Sequence, residues 1–281
     1  MATTPTIDPI NPPAAALRVY YSTGRMLGVE DFQAEQAYHR GRLARALLSL
    51  HGPGTVIGLN VASGTDSNGQ LEVQVAPGIA IDRVGRILDV PVTVCIRPDV
   101  WLLLQSDSDL ILALGTNAFI TVDVFVGFAA CSRGKTPDFA SQDDYDATDA
   151  FQANRLLDSF AMQLILRKES SPPLPKDPWL PAGAQPAPGV APTAAEVLAL
   201  KDAILAATPV PPAIPPVEYW PGADTTSIFL ARIQIAASQP SAGARPVADF
   251  TKITYDNLSR LFVLPTTLLA RWIGLDFGQE A

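Results

Sequence analysis

His39 and His51 are the only histidines in this 281-residue chain, so imidazole acid–base chemistry near neutral pH would have to run through one of them. His39 has no companion cluster of ligating residues, only Glu35 four positions before it, and on the apolar face it reads as a hydrogen-bonded core histidine. His51 falls at the expected end of a helix, where a cation is favoured and needs no further role. Asp143, Asp144, Asp146 and Asp149 offer clustered oxygens of the kind Ca²⁺ prefers. They lack the central Gly and closing Glu of an EF-hand loop, so a solvated acidic loop is the simpler reading. There is no Gly-x-Ser-x-Gly nucleophile turn and no phosphate-binding loop with its Lys. A carboxylate pair for glycoside hydrolysis is set in three dimensions and stays open. No residue is therefore assigned a catalytic, metal-binding or cofactor-binding role, no cofactor is expected, and the chain reads as a non-enzyme.

Candidate interaction residues are easier to name. Arg40, Arg42 and Arg45 form a basic group on one helix, either a solvated face or a docking site for an acidic partner. Leu268, Leu269 and Trp272, with Ile273, make an apolar helical stripe near the end of the sequence, suited to packing back on its own domain or onto another subunit.

A hydrophobic content of 48% is ample for a core, while only 17% of residues are charged and 26 Pro and 19 Gly point to many turns. The formal charge of -8 lacks the basic footprint of a nucleic-acid binder. Cys95 and Cys131 lie in apolar runs and are expected as two buried free thiols in a reducing compartment. No apolar run approaches the roughly 20 residues of a membrane span, and the N-terminus does not read as a secretion signal, so cytoplasmic synthesis is expected.

The elements follow from periodicity. Residues 1–19 are an extended Pro-rich arm. Residues 20–168 form a helix-plus-β core, opened by a helix over 29–51 on which Phe32, Gln36, His39, Leu43, Ala46, Leu47 and Leu50 lie within about 60° of one line. That row is expected to face the core. Gly52-Pro53-Gly54 ends the helix, and alternation then predicts a hairpin of Val56–Val61 with Leu71–Val75, a second pair across Arg83-Val84-Gly85, and a continuation near Val92–Ile96. Asp99 is placed to cap a short helix, and Leu110–Leu114 fits either helix or strand. Phe119–Ala129 reads as a central strand paired with Phe160–Leu166. Residues 169–224 are a Pro-rich insertion whose Thr193-x-x-Glu196 capping box opens a short helix. Residues 225–263 return a strand to the core, and 264–281 are the apolar tail. The fold class is α+β, mostly antiparallel β, with an N-terminal helix packed on a small sheet and Pro-rich extended insertions.

One set of motifs carries a resemblance. It comprises Gly24-Arg25, Asp31-Phe32, Glu35-Gln36, Tyr38-His39-Arg40, Arg42-Leu43, His51-Gly52, Gly54, Val56, Gly58-Leu59, Pro77-Gly78, Ala80, Asp82 and Gly85-Arg86. Together they resemble a family encoded beside baseplate genes of bacterial contractile injection systems and contractile phage tails. The chain departs from that pattern at Gly28, where a capping Thr is preferred, and at Pro53, often an aromatic. Ala150–Asp158 and Leu230–Ile233 look like the family's later elements. The resemblance implies a structural component incorporated into a phage-tail-like particle at the baseplate periphery, a fibre attachment or a cage-like shell. Its partners would be other particle subunits and further copies of itself, in trimers or sixfold arrangements. The alternative is a fibre-like receptor-binding module whose Pro-rich excursions and Trp179 or Trp220 contact a cell-surface glycan.

Overall fold

The computed structural model describes residues 18–134, 136–137, 151–152, 154–176, 191–206, 218–220, 223–266 and 269. The extended arm apart from Arg18 and Val19, the acidic run, Trp179, Leu268, Trp272 and Ile273 lie outside the described residues. In chain order the elements are α1 (Val29–His51), β1 (Gly54–Gly58), β2 (Val61–Thr65), β3 (Leu71–Val75), β4 (Gly78–Ile81), β5 (Ile87–Val90), β6 (Val94–Ile96), α2 (Pro98–Leu103) and α3 (Asp107–Leu114). There follow β7 (Phe119–Arg133), β8 (Thr136–Pro137), β9 (Phe151–Gln152), β10 (Arg155–Leu166), α4 (Ala194–Ala206), β11 (Ile228–Ser238) and β12 (Val247–Asp256). This is the expected α+β class with antiparallel sheets.

A four-stranded sheet in the order β10-β7-β11-β12 organises the core. Its central strand β7 is apolar on both faces because both faces are covered. Ile120, Val122, Val124 and Val126 point to one side, where they meet Ile228, Leu230, Ile233 and Ile235 of β11 and Leu59, Val73, Val75 and Leu88 of two small sheets. Leu102 of α2 and Leu110 and Leu114 of α3 close that core, so the ambiguous 110–114 segment is helical. The opposite side of β7 carries Phe125, packed on Phe229 and Tyr219. β10 pairs with β7 over its whole length, including the expected 160–166 segment.

The small sheets differ from the simple hairpin. The 56–61 run is not one strand: β1 joins β4 and β5, whereas β2 joins β3 and β6. Between them Leu59 is fully buried and takes φ 58, a left-handed conformation unusual for Leu. Gly58 also has positive φ and lies so close to the Pro77 carbonyl that a Cβ would have no room. The kink is braced from a distance: Arg260 donates to the Leu59 carbonyl at 2.8 Å, and Asn257 exchanges hydrogen bonds with the backbone of Val61 at 2.9 and 2.8 Å. Burial draws the Arg260 pKa down to about 10.

α1 rests on the β4–β5 turn through a face that the periodicity did not single out. Ala44 is its one buried residue, pressed against Gly85, which has φ +90 and a Cα in contact range of the Ala44 carbonyl. The row expected in the core points away: Phe32, Leu43 and Leu50 are 52%, 55% and 77% exposed. The His39 side chain is 71% exposed and 3.8 Å from Glu35, so it is not a core histidine. An amphipathic helix needs a partner for its apolar stripe, and among the described residues α1 is buried only along the Ala44 edge. The two thiols also depart from expectation: Cys95 is exposed on β6 and Cys131 is half-buried, both free. Strand alternation turns Cys95 outward while its neighbours Val94 and Ile96 pack against the core.

Gly85→Ala imposes a Cβ on a left-handed residue and on the Ala44 carbonyl at once. We expect a stability loss above ~1 kcal/mol. Hydrogen exchange should quicken in the second half of α1 while β7 and β11 stay protected; unchanged exchange in α1 would show that Gly85 does not seat the helix.

Candidate functional site

The unusual chemistry of the core begins with a carboxylate in an apolar strand. Asp123 lies between Val122 and Val124 in β7 and is fully buried, a placement that demands charged partners. A register shift in β11 between Phe229 and Ala231 changes the strand's parity, so that Phe229 and Arg232 both reach the Asp123 face, though three residues apart. Arg232 stands directly opposite Asp123 and binds it in a fork, Nε to Oδ1 at 2.7 Å and Nη2 to Oδ2 at 2.9 Å. Arg167, just beyond β10 and 1% exposed, adds a third bond from Nη1 to Oδ2 at 2.9 Å.

Both guanidiniums then reach outward to loop backbone. Arg232 donates to the carbonyls of Pro172 and Pro173 at 2.7 and 2.9 Å, and Arg167 to that of Glu218 at 2.6 Å. Arg167 also holds the Glu169 carboxylate at 3.0 and 3.2 Å. Burial pushes the Glu169 carboxyl up, but the Arg167 guanidinium and neighbouring N–H groups outweigh it and hold it below the usual carboxylate range.

A second cluster adjoins the first. Asp82 accepts the Val84 and Arg86 N–H groups at 3.0 and 2.7 Å and Arg86 Nε at 2.5 Å, closing the β4–β5 turn. Burial pushes the Asp82 carboxyl up against the pull of Arg86. Arg86 also donates to Thr226 Oγ1 at 2.9 Å and covers the Phe128 ring at 4.6 Å. Arg83 pairs with Glu218, and the Tyr219 hydroxyl donates to the Ser227 carbonyl. Burial pushes the Tyr219 phenol up to about 12. These groups are internal braces: Asp123, Arg167, Glu218 and Ser227 are each buried, so none presents a reactive atom to a ligand. No group of three or more metal-ligating side chains occurs among the described residues. Nor is any described helix long and apolar enough to cross a membrane.

The outer surface is where ligands or partners can reach, and two open clefts flank α1. One, of about 350 Å³, is lined by Arg18, Tyr20, Tyr21, Glu35, Tyr38 and His39; there the Tyr21 hydroxyl donates to Glu35. The other, of about 120 Å³, brings Arg40, Leu43 and Leu47 of α1 together with Gly85, Ile87, Phe128 and Asp158. Of the three arginines named from sequence, Arg40 faces this cleft, 4.0 Å from Asp158, while Arg42 and Arg45 are exposed to solvent. Arg42 and Arg45, three residues apart, share one exposed face while Arg40 turns to the Asp158 cleft, so the three are split between two faces. Leu269 is part-exposed at the start of the tail. Trp220 is half-buried, with the Lys168 ammonium 5.4 Å from its ring.

The sequence reading missed the Asp123 network. A signal existed: one acid in the otherwise apolar 119–128 run and Arg232 in the 228–236 run, each of which must find an opposite charge once buried. No family model matches the chain, and no curated protein matches it.

Asp123→Ala strands two arginines in the core. Breaking a buried pair of this kind costs about 3–5 kcal/mol, which urea unfolding should register; a loss under 1 kcal/mol would show the network to be dispensable. For Tyr219, folded-state protonation stabilises the fold fully below the unfolded phenol pKa of about 10 and is lost as pH rises through about 12. Absorbance titration at 295 nm should therefore show a late phenol that Tyr219→Phe removes.

Proposed function

We propose that this protein is a non-enzymatic structural subunit of a contractile injection system or phage-tail-like particle, acting by docking on neighbouring subunits. The observation that carries the reading is α1. The helix is seated on the body along one edge while Phe32, Leu43 and Leu50 of its apolar row face outward, and Ile87 extends the same apolar surface beside Leu43. Contiguous exposed apolar surface of this kind marks an association site. The motif set supports the same conclusion. Its Gly58, Pro77-Gly78, Asp82 and Gly85-Arg86 shape the corner and turn that hold α1 in place, which is scaffolding work.

Tagged protein in the native host should sediment with sheath and tube proteins in large particles, read by peptide mass spectrometry and negative-stain microscopy. Leu43→Asp with Leu50→Asp should leave the fold intact, since both side chains are mostly exposed, and release the protein into the soluble fraction. Recovery of the unaltered protein solely as a small soluble species would overturn the particle reading; glycan-array binding by that species would replace it with receptor recognition.

A further inference from the structure

Beyond Val126, β7 keeps a strand on only one of its sides. β11 pairs with β7 from Phe119 to Val126, whereas β10 stays beside it to Arg133. The chain entering β11 turns away at this point, where the Thr226 carbonyl accepts the Arg83 N–H. Over the remaining stretch, about 20 Å of strand, β7 and β10 form a two-stranded ribbon, and among the described residues no third strand meets the other edge of β7. Alternate N–H and C=O groups along that edge point away from β10. Protein edges are usually blunted by prolines, charges or bulges. The run Phe128-Ala129-Ala130-Cys131-Ser132 has no proline and no charge, and its register with β10 is unbroken. A ribbon of two strands is marginal in water, and a third strand stabilises it.

The side chains beside this edge define what the added strand must carry. One face of the ribbon, with Phe128 and Asp158, lies towards α1, where Asp158 is 4.0 Å from Arg40. The opposite face carries Cys131 and Leu157 and ends in Arg133 and Arg155, which stand directly across from each other. Like charges in opposed cross-strand positions repel. Both guanidiniums are exposed, and neither has an ion pair or side-chain hydrogen bond to a described residue. By contrast Arg83, Arg86, Arg97, Arg167, Arg232 and Arg245 each hold a carboxylate. A carboxylate on a third strand, beside Arg133 on this face, lies within reach of both long side chains and relieves their repulsion.

We propose that the open β7 edge over 128–133 is a strand-addition site: an extended, acidic segment of a neighbouring subunit pairs with it and sets a carboxylate beside Arg133 and Arg155. Backbone pairing supplies the attachment, and the arginine pair selects the charge and register of the incoming strand. This rests on the assembly reading above and names one of its contacts, separate from α1.

The test uses the full chain, kept reduced, and two fluorescein-labelled synthetic peptides of about eight residues, Thr and Val alternating with Glu in one and with Lys in the other. By fluorescence anisotropy the Glu peptide should bind on the order of tenfold more tightly than the Lys peptide, and its binding should slow hydrogen exchange over 128–133. Arg155→Glu supplies a carboxylate from within the ribbon and should weaken the Glu peptide by about tenfold. Arg133→Glu with Arg155→Glu should reverse the preference. Both variants should keep the far-ultraviolet spectrum, since the two side chains are exposed. A Glu peptide N-methylated at every residue keeps its charge, cannot donate to a strand edge and should not bind. Absence of Glu-peptide binding at about 1 mM overturns the proposal, as does equal binding of the Lys peptide or of the N-methylated one. A mass above the 29.9 kDa of one chain, with 128–133 already protected before peptide is added, also overturns it by giving the edge to a second copy. If the peptides fail while the unaltered protein still sediments with sheath and tube, the particle reading stands and the edge contact alone falls.

Discussion

The Asp123 carboxylate is the interaction on which the rest of the structure depends. A single acid fully buried in a central strand is tolerable only with two guanidiniums locked onto it, and those guanidiniums come from the ends of other elements. Arg232 fixes the β11 register and requires its bulge. Arg167 pins the exit of β10. Their remaining N–H groups hold down the Pro172-Pro173 and Glu218 backbones, so one carboxylate decides where the Pro-rich insertion leaves the core and where it re-enters. Through Glu218 and Arg83 the same network touches the β4–β5 turn, and that turn seats α1. A chain of ion pairs, bridged at one step by the Glu218 backbone carbonyl, thus runs from the sheet centre to the turn under α1.

This arrangement separates rigidity from recognition. Asp82, Asp123, Arg167 and Glu218 in the interior are paired to one another, to further arginines or to backbone, which suits positioning. Among the described residues α1 carries an exposed apolar row, and the helix rests on the braced β4–β5 turn. Gly85 has no side chain because the Ala44 carbonyl occupies that space, and the close approach sets the angle at which the helix stands. A helix held in this way would lose little freedom if a partner bound its exposed row.

The motif set acquires a physical meaning from the same geometry. Gly58 and Gly78 let two backbone segments touch at the corner between the small sheets, Asp82 ties the turn, and Arg86 reaches Thr226 and Phe128 in the later strands. Residues far apart in sequence hold this region: the corner at Leu59 is braced by Arg260 and Asn257, and β1 is flanked by Leu261 and Val263 through backbone bonds to Thr55. The returning segment at the end of the core is therefore a clamp on the beginning of the chain.

Local pattern determined much of this protein. The 29–51 helix, the turn at 83–85, the β7–β10 pairing, the returning β11 strand and the Thr193–Glu196 capping box are all legible, because each follows from side-chain period or from turn and cap chemistry within a few residues. Which face of α1 meets the body was not legible, since periodicity shows that a helix has an apolar stripe and not which chain covers it. The break at Leu59 escaped for a related reason: an unbroken apolar alternation looks the same whether it stays in one sheet or crosses to another, and the carbonyl that stabilises the crossing is held by an arginine two hundred positions away. Asp123, Arg167 and Arg232 were visible as charges in apolar runs, but their meeting depends on strand order and on one bulge. Sequence alone determined the elements and the need for burial; the tertiary structure decided the partners, because pairing across a sheet and contact between helices are set by distances that no local period encodes.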